Sequence, residues 1–405
     1  MKWTNKGHEF DDIGYLLKDK KQVFIYGAGD VGFEIFDLLK ALKKWIKWDI
    51  YLVDRDEHKQ QTGYKGNRIL SPNQFFDINN NSNKDDYFVV IAAMSNGYRE
   101  IYNNLINNLG EDVTNFEGFY FLYRYLPIYF TYTHNIVFFT SENMLISSVC
   151  NLNCRDCLNF NPYIKNHYNP TLEQLKQDVD IFFSAVDLIY RFQITGGEPL
   201  LSKNLIPVLK HINDNYSDKI IRLELVTNGT VMPSDELCEF LSKNNIYVYL
   251  DDYKSAIEEK TERYYAVYGK LSKYKVKFFD NYVNKWIRMY IPKSKFPDMC
   301  QDDLINKFTL CNNPWCSLKN GKISSCNYAM YADTADICKS ETCEYYDLNK
   351  YNRDSQRELI EFRLGYSEKG YTEFCKKCHG WTDTNINWCE PAIQMPKEKI
   401  NEMDK

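Results

Sequence analysis

Two hydrophobic patterns alternate along most of the chain. Short apolar runs rich in β-branched and aromatic residues are typical of buried strands, and segments with an apolar residue every three or four positions are typical of amphipathic helices. Near the start, the pattern predicts strands at 22–26, 50–53 and 87–92 and helices at 33–42 and 98–109. Strands that alternate with helices predict a parallel sheet with helices on its faces.

The same alternation continues through residues 140–292. Strands are predicted at 144–149, 191–195, 221–227, 246–250, 274–279 and 286–291. Helices fall between most of them, for example at 172–186 and 234–244. These six strand–helix units suit a partial (β/α)6 barrel, whose chemistry takes place at the carboxyl ends of the strands.

From residue 293 onward, regular periodicity weakens and cysteines dominate, so metal rather than apolar burial is expected to hold this part together. The predicted fold class is therefore α/β, with a parallel-sheet domain at 1–135, a barrel at 140–292 and a small cysteine-rich domain at 293–405. The uncharged stretch 125–141 alternates aromatic with polar residues and is too short for a membrane span. We interpret it as a strand and a connector.

Composition narrows the function. The 50 basic and 55 acidic residues give a net charge of −5 and are dispersed, which argues against a nucleic-acid partner. The N-terminus lacks the apolar core of a signal peptide, so a cytoplasmic location is expected. Thirteen cysteines could serve disulfides, zinc or iron–sulfur clusters. Disulfides need an oxidising compartment, and nothing in the sequence directs the chain to one.

The first cysteine group is Cys150, Cys154 and Cys157, a C-x3-C-x2-C arrangement that follows a predicted strand. Structural zinc would need a fourth ligand, and His167 stands at the edge of the next ten residues. A [4Fe–4S] cubane held by three thiolates makes better sense, because its fourth iron stays open to a ligand. An open iron can chelate the amino and carboxylate groups of S-adenosylmethionine (SAM).

This triad resembles that of the radical SAM superfamily, in which it binds the cluster and SAM. Gly196-Gly197-Glu198-Pro199 matches the family element that binds the methionyl amino group. Two glycines let the backbone approach a ligand closely, and a carboxylate complements an ammonium. The resemblance further implies SAM contacts from Asn228, in Thr-Asn-Gly after the third strand, and from Asp251 at the end of the fourth. Asp156 departs from the family, which usually has an aromatic residue there; Phe160 or Tyr163 could supply the adenine stacking instead.

The second cysteine group contains C-x9-G-x4-C, ending at Cys326, with a hairpin turn at Asn320-Gly321. It resembles the twitch form of the SPASM domain, which carries one auxiliary [4Fe–4S] cluster. The longer SPASM form has further cysteines where this chain has Thr384 and Trp388. The ligands are drawn from Cys311, Cys316, Cys326, Cys375 and Cys378. Either Cys311 or Cys316, or both, could bind, and a zinc ribbon remains an alternative.

The first predicted strand ends in a glycine-rich turn that contains Gly27, Gly29 and Gly32. Such a turn before a helix can hold a phosphate, although this motif is weak evidence by itself. The region resembles the small Rossmann-like modules found beside enzymes of surface-polysaccharide and sugar-acyl chemistry. It is interpreted as a nucleotide-binding site or as a structural or docking module.

The resemblance implies reductive cleavage of SAM to a 5′-deoxyadenosyl radical that abstracts a substrate hydrogen, with flavodoxin or ferredoxin as electron donor. An auxiliary cluster could accept the electron left after hydrogen removal. The expected substrate is a sugar, polyol or nucleotide-linked small molecule, which is oxidised or epimerised. The alternatives are a ribosomal-peptide maturase and a non-catalytic protein that binds zinc and a nucleotide. The sequence identifies no general base.

Overall fold

The computed structural model describes residues 1–80, 82–294, 296–311, 313 and 315–396, with every side chain except that of Ser95. The predicted domain at 293–405 therefore extends past the described residues at its end. The chain divides into two compact units. One is Phe10–Thr140, called here the N-terminal unit, and the other is Met1–Glu9 together with Ser141–Lys405, called the large unit.

The N-terminal unit is built on a five-stranded sheet of order β3-β2-β1-β4-β5. All four pairings between neighbours are parallel. The strands are β1 (Gln22–Tyr26), β2 (Asp49–Val53), β3 (Ile69–Leu70), β4 (Tyr87–Ile91) and β5 (Asn115–Glu117). The helices are α1 (Asp30–Ala41), α2 (Glu57–Thr62), α3 (Pro72–Asn79), α4 (Ser95–Leu109), α5 (Gly118–Tyr120) and α6 (Leu126–His134), with a π-helical turn at Phe121–Tyr125. Central strand β4 is buried along its whole length, which is why it reads as a continuous apolar run.

The interpretation of 125–141 as a strand and a connector is wrong for its first part. Residues Leu126–His134 form helix α6, whose side chains are buried from Leu126 through Tyr132. A helix buried on all sides has no polar face, so the pattern that marks an amphipathic helix is absent. The strand begins later, as β6 (Phe138–Leu145). Among the described residues, no helix combines the length and apolar character needed to cross a membrane.

The large unit continues from β6 with an eight-stranded sheet of order β10-β9-β8-β7-β6-β12-β13-β14. The other strands of this sheet are β7 (Leu188–Thr195), β8 (Ile220–Thr227), β9 (Tyr247–Asp252), β10 (Phe278–Tyr282), β12 (Ser317–Lys319), β13 (Lys322–Ser324) and β14 (Tyr345–Asp347). A separate two-stranded sheet consists of β11 (Trp286–Ile287) and β15 (Trp388–Cys389). The helices of the large unit are α7 (Leu172–Ala185), α8 (Leu205–Tyr216), α9 (Asp235–Lys243), α10 (Thr261–Lys273), α11 (Gln301–Thr309), α12 (Asn327–Thr334) and α13 (Gln356–Arg363). The α/β class, with parallel sheets and a cysteine-rich C-terminal region, is confirmed.

The successive strands β7 to β10 pair in parallel, so their carboxyl ends lie along one edge of the sheet. The predicted sixth strand differs from the expectation. Residues 286–291 form only the two-residue strand β11, which pairs antiparallel with β15 rather than joining the barrel sheet. The apolar run at 286–291 owes part of its character to burial of Ile287 and Met289 in a separate core beside α12.

A charged network crosses three neighbouring strands of the sheet, before their carboxyl ends. Arg191 on β7 makes two hydrogen bonds to the carboxylate of Glu224 on β8, at 2.9 and 3.1 Å. Its guanidinium also donates to the hydroxyl of Tyr249 on β9 at 3.0 Å. Glu224 is fully buried, and a buried carboxylate needs such partners to offset its lost hydration. The network thus ties three neighbouring strands together beneath the site.

Candidate functional site

A cavity of about 420 Å³ opens at the carboxyl ends of the parallel strands. It brings together the three thiols predicted for the first cluster and five of the residues predicted for SAM. These are Cys150, Cys154, Cys157, Gly196, Gly197, Glu198, Asn228 and Asp251. Residues far apart in sequence meet here because β7, β8 and β9 are parallel neighbours and each ends at the same edge.

The thiols of the triad accept hydrogen bonds from nitrogen donors around them. The backbone N–H of Leu152 lies 3.4 Å from Cys150 Sγ, and the side-chain amide of Asn228 lies 3.8 Å from the same sulfur. The side-chain amide of Gln394 donates to Cys154 Sγ at 3.2 Å. Burial raises the pKa of the Cys150 and Cys154 thiols to about 12. N–H donors aimed at sulfur are a feature that iron–sulfur sites use to stabilise their thiolates, so the triad fits a cluster.

Two glycines let the end of β7 lie against the chain that enters the triad. The backbone N–H of Gly197 donates to Ser147 O at 2.8 Å. A Cβ atom on Gly197 would lie 2.4 Å from Val149 O, and one on Gly196 would lie 2.6 Å from Ser147 O. No side chain fits at these distances, so both positions require glycine for close backbone approach.

Glu198 lies at the bottom of the cavity wall and is 1% exposed. Its carboxylate accepts hydrogen bonds from the backbone N–H of Asn228 at 2.8 Å and from the Thr227 hydroxyl at 2.9 Å, both at the end of β8. Burial raises the pKa of Glu198 to about 7, against the lowering effect of these donors. The side chain therefore joins two strand ends and places a titratable carboxyl beside the cavity.

Asp251, at the end of β9, is the second carboxyl of the cavity. It accepts from the Asn281 amide at 2.7 Å and from the Tyr253 hydroxyl at 3.0 Å. Burial raises its pKa to about 6, and both donors act in the opposite direction. Asn281 and Tyr253 also line the cavity. Neither residue was among the predicted site residues, although each lies within three residues of a predicted strand end.

Indole rings form much of the remaining cavity wall. Trp286, Trp381 and Trp388 all line it, together with Lys285. The sequence analysis did not predict them. Trp388 is one of the two residues noted in the sequence at positions where the longer SPASM pattern would require a cysteine. Trp381 also donates its backbone N–H to Cys311 Sγ at 3.4 Å, which links the cavity to the second cysteine group.

Asp156, the departure inside the triad, faces away from this cavity. Its carboxylate pairs with Arg155 at 2.8 Å and with Arg288 at 2.7 Å, and its side chain is 5% exposed. It therefore fastens the triad loop to the segment that follows β11. Phe160 and Tyr163, the predicted substitutes for adenine stacking, both pack on Tyr290. Tyr253 and Trp286 are the aromatic side chains on the triad side of the cavity, in edge-to-face contact at 5.5 Å.

The second cysteine group gathers around the predicted hairpin. Strands β12 and β13 pair antiparallel around Asn320-Gly321, both of which have positive φ, as the predicted turn requires. Burial raises the pKa of Cys326 well above its ordinary value, and the charges of Cys311, Cys375 and Cys378 raise it further. The four thiols are thus near enough to act on one another's pKa. Nitrogen donors again face the sulfurs, for example Gly380 N to Cys378 Sγ at 3.2 Å.

The structure does not bring Cys316 into this group. Its thiol is buried, and the charged groups that act on it are Arg363 and Glu142. Its Sγ lies 3.8 Å from the carbonyl oxygen of Arg363. Since Cys316 immediately precedes β12, which pairs with β6, its side chain packs in the sheet core instead of beside Cys326.

The glycine-rich turn lies in the N-terminal unit, at the carboxyl end of β1. A Cβ atom on Gly32 would lie 1.9 Å from Gly27 O, so this turn needs glycine for its own packing. The backbone N–H of Ala28 donates to Asp54 Oδ2 at 2.7 Å, and Asp30 occupies the first turn of α1. One N–H of the loop is therefore already engaged by a carboxylate, and a second carboxylate stands at the helix N-terminus.

Within the described part of the chain, no three His, Cys, Asp or Glu side chains are arranged to hold a single metal ion. A single ion needs its ligands within about 2–2.5 Å of one point. A cubane instead takes each thiolate on a different iron, so the finding concerns single ions.

Comparison with known proteins agrees with the motifs. Residues 144–284 match the sequence model of the radical SAM superfamily. The matched segment contains the triad, Gly196–Glu198, Asn228 and Asp251.

Curated relatives match over short stretches. An uncharacterised protein of Methanocaldococcus jannaschii is 34% identical over 104 residues, which are 25% of this chain and 35% of that protein. The GTP 3′,8-cyclase of Alkaliphilus metalliredigens is 37% identical over 89 residues, which are 22% of this chain and 27% of the cyclase. The chain thus spans about a third or less of the length of these relatives.

Solved structures align over more of the chain at low identity. The structure of anSMEcpe with bound AdoMet covers 65% of this chain and 95% of its own, with 16% identity and a TM-score of 0.37. BtrN in complex with AdoMet and 2-DOIA covers 62% of this chain and 97% of its own, with 16% identity and a TM-score of 0.37. Likenesses at this TM-score carry no argument about activity.

Proposed function

We propose that this chain is a radical SAM enzyme that binds a [4Fe–4S] cluster through Cys150, Cys154 and Cys157 and binds SAM beside it. The observation that carries the proposal is the shared cavity. Three thiols supplied with N–H donors line the same wall as Gly196–Glu198, with Asn228 and Asp251 on the neighbouring strand ends. A zinc site would need neither the glycines nor the two carboxyls.

When bound, the cluster supplies the electron that cleaves SAM. The chain's own residues bind and orient. Glu198 would complement the ammonium of SAM. Asp251, which accepts hydrogen bonds from Asn281 and Tyr253, would accept from the ribose hydroxyls of SAM. The tryptophan side chains add apolar surface beside these groups. No side chain is assigned as a general base, because hydrogen abstraction by a radical does not require one.

We further propose that Cys311, Cys326, Cys375 and Cys378 hold one auxiliary [4Fe–4S] cluster. Their mutual electrostatic effect and the N–H donors at Cys311 and Cys378 support this set, and the different surroundings of Cys316 support leaving it out. The auxiliary cluster would accept the electron that remains after hydrogen removal, giving a net oxidation. Zinc at the same four thiols is the alternative.

The proposed substrate is a sugar, polyol or nucleotide-linked small molecule, with flavodoxin or ferredoxin as the electron donor. A cavity of about 420 Å³ is within the size range of small-molecule sites. Indole faces at Trp286, Trp381 and Trp388 suit flat or ring-shaped ligands, and Lys285 suits an anionic group. A ribosomal-peptide maturase that admits one side chain into the cavity is the second candidate.

The N-terminal unit keeps two proposed roles. Its strand order and the carboxylate of Asp54 directly after β2 are those of dinucleotide-binding folds, which supports a nucleotide at Gly27, Gly29 and Gly32. The engagement of Ala28 N–H by Asp54 and the presence of Asp30 weaken phosphate binding there, which supports a structural or docking role.

Anaerobic reconstitution tests the proposed enzyme. We expect about eight iron and eight sulfide atoms per chain, for two cubanes, and SAM cleavage when dithionite is added. Iron and sulfide are measured colorimetrically, and cleavage by chromatography of 5′-deoxyadenosine. Stoichiometric zinc without iron would instead establish the non-catalytic zinc protein.

SAM affinity is expected to depend on pH through the two cavity carboxyls. Their pKa values, about 7 for Glu198 and about 6 for Asp251, lie above the ordinary range because of burial. As the pH falls through these values, the carboxyls gain protons and lose their attraction for a cation. We expect SAM to bind about tenfold more weakly at pH 6 than at pH 7.5, as measured by calorimetry with the reconstituted protein. The Glu198→Gln variant should bind SAM weakly at both pH values. If its affinity for SAM depends on pH as that of the wild type does, Glu198 is not the group that attracts SAM.

A further inference from the structure

The chain returns to the cysteine triad near its C-terminal end. Residues 388–396, called here the C-terminal strap, begin in β15 and then run antiparallel to the triad loop. The backbone N–H of Arg155 donates to Ile393 O at 2.8 Å, and that of Met395 donates to Asn153 O at 2.8 Å. Cys154 and Gln394 form the antiparallel bridge between them. The strap thus adds a short strand to the loop that carries the proposed cluster ligands.

The side chain of Gln394 has a fixed orientation in this contact. Its Oε1 accepts from the backbone N–H of Asn153 at 2.8 Å. A backbone N–H can only donate, so the atom that faces it must be the amide oxygen. The amide nitrogen therefore faces the other way, where it donates to Cys154 Sγ at 3.2 Å and to Ala392 O at 2.6 Å.

The strap is anchored on both sides of Gln394. Before it, Ala392 is fully buried against Leu152 and Ile257 and has a φ of 55°, which a non-glycine residue adopts only when its surroundings impose it. After it, the carbonyl oxygen of Met395 accepts from the Asn153 side chain at 2.8 Å. These contacts hold the amide of Gln394 at the sulfur without relying on the amide itself.

The three proposed ligands differ in where their donors come from. Cys150 receives hydrogen bonds from the backbone of Leu152 and from the side chain of Asn228 at the end of β8. Backbone N–H groups of Asn159, Phe160 and Asn161 act on Cys157. Apart from Asn228, these donors belong to the triad loop. The recorded donor to Cys154 lies 240 residues further along the chain. The surroundings of Cys154 are therefore completed by the strap.

We propose that Gln394 is a positioning residue for the first cluster: its amide, presented by the C-terminal strap, fixes the Cys154 thiolate and makes the cluster easier to reduce. The inference rests on the proposed function, in which Cys154 is a cluster ligand. An N–H donor withdraws charge from a thiolate, and hydrogen bonds to cluster sulfurs are among the factors that set the reduction potential. Removing the donor should therefore lower the potential.

The first arm of the test needs no cluster. Two shortened chains, ending at Pro396 and at Pro391, are compared with the full chain by amide hydrogen exchange in the cluster-free state. We expect faster exchange in the peptide that contains Arg155 only when the chain ends at Pro391, because that truncation removes Ile393. Equal exchange in all three chains would contradict the pairing of the C-terminal strap with the triad loop, whatever metal the protein binds.

The second arm measures the cluster. Gln394→Met keeps the length of the side chain without an N–H donor, Gln394→Glu places a carboxylate at the sulfur, and Met395→Leu is the control in the strap. At the potential where the wild-type cluster is half reduced, we expect a severalfold smaller reduced fraction in both Gln394 variants and no change in the control. The EPR signal that changes when SAM is added identifies the first cluster. If the first cluster of both variants has the same redox titration as that of the wild type, the role of Gln394 is contradicted and the proposed function stands. If the wild-type protein holds no such cluster, the proposed function and the role of Gln394 are both contradicted.

Discussion

Replacing Cys157 with alanine is expected to lower the iron content from about eight to about four atoms per chain and to reduce SAM cleavage to background. The change removes one of three thiolates, and two cannot hold a cubane firmly while leaving one iron open for SAM. Cys157 is the clearest choice because its donors, the N–H groups of residues 159–161, are local to the loop. Iron analysis and 5′-deoxyadenosine formation after reconstitution give the two readouts.

Cys238→Ala is the matched control for that replacement. Cys238 is also buried, but it lies on α9 among apolar neighbours and outside the cavity. The Cys238→Ala variant should retain the iron content and the SAM cleavage of the wild type. The Cys157 variant must also retain the far-ultraviolet circular dichroism of the wild type. Full iron in a folded Cys157→Ala protein would contradict the assignment of the triad as cluster ligands.

The second large effect is expected at the auxiliary site. Cys378→Ala should lose about four irons per chain while SAM cleavage by the first cluster persists, because the triad is left intact. Substrate turnover should be lost, since the electron acceptor would be missing. Iron analysis, 5′-deoxyadenosine formation without substrate and product formation separate these effects.

Cys316→Ala is the decisive companion, because the sequence could not choose between Cys311 and Cys316. The structure surrounds Cys316 with Arg363 and Glu142 and surrounds Cys326 with the other thiols. We therefore expect Cys316→Ala to keep all of its iron and Cys311→Ala to lose iron as Cys378→Ala does. The reverse result would make Cys316, rather than Cys311, a ligand of the auxiliary cluster. One zinc ion per chain at these four thiols, in place of iron, would favour the zinc-ribbon alternative.

Local sequence patterns predicted several regular elements. Helix α7 was expected at 172–186 and spans Leu172–Ala185, and helix α9 was expected at 234–244 and spans Asp235–Lys243. Both have an apolar stripe and a Thr or Ser cap, which are local signals. The segment that forms helix α6 was wrongly interpreted as a strand and a connector, because burial along the helix removed the alternation of apolar and polar residues. The short strand β11 differed because its pairing partner, β15, lies about a hundred residues away.

The cavity shows a similar division. Cys150, Cys154, Cys157 and Gly196–Glu198 could be predicted because each motif is contiguous and follows a strand. The indole walls could not, because Trp286, Trp381 and Trp388 carry no spacing that marks a ligand site and meet only after the C-terminal region folds back. Asp156 looked like a defect in the SAM site by sequence, whereas its pairing with Arg288 depends on a contact between residues 132 positions apart.

The sequence by itself determined the chemistry that is available: thiols at cluster spacing, glycines before a carboxylate, and polar residues at successive strand ends. These are set by short-range spacing, because a strand end and the loop after it are local structures. The tertiary structure decided which thiols meet in the second group, which aromatic rings face the cavity, and that Gln394 reaches Cys154. Each of these depends on side-chain direction and on long-range backbone pairing, and neither is encoded in the spacing of a motif.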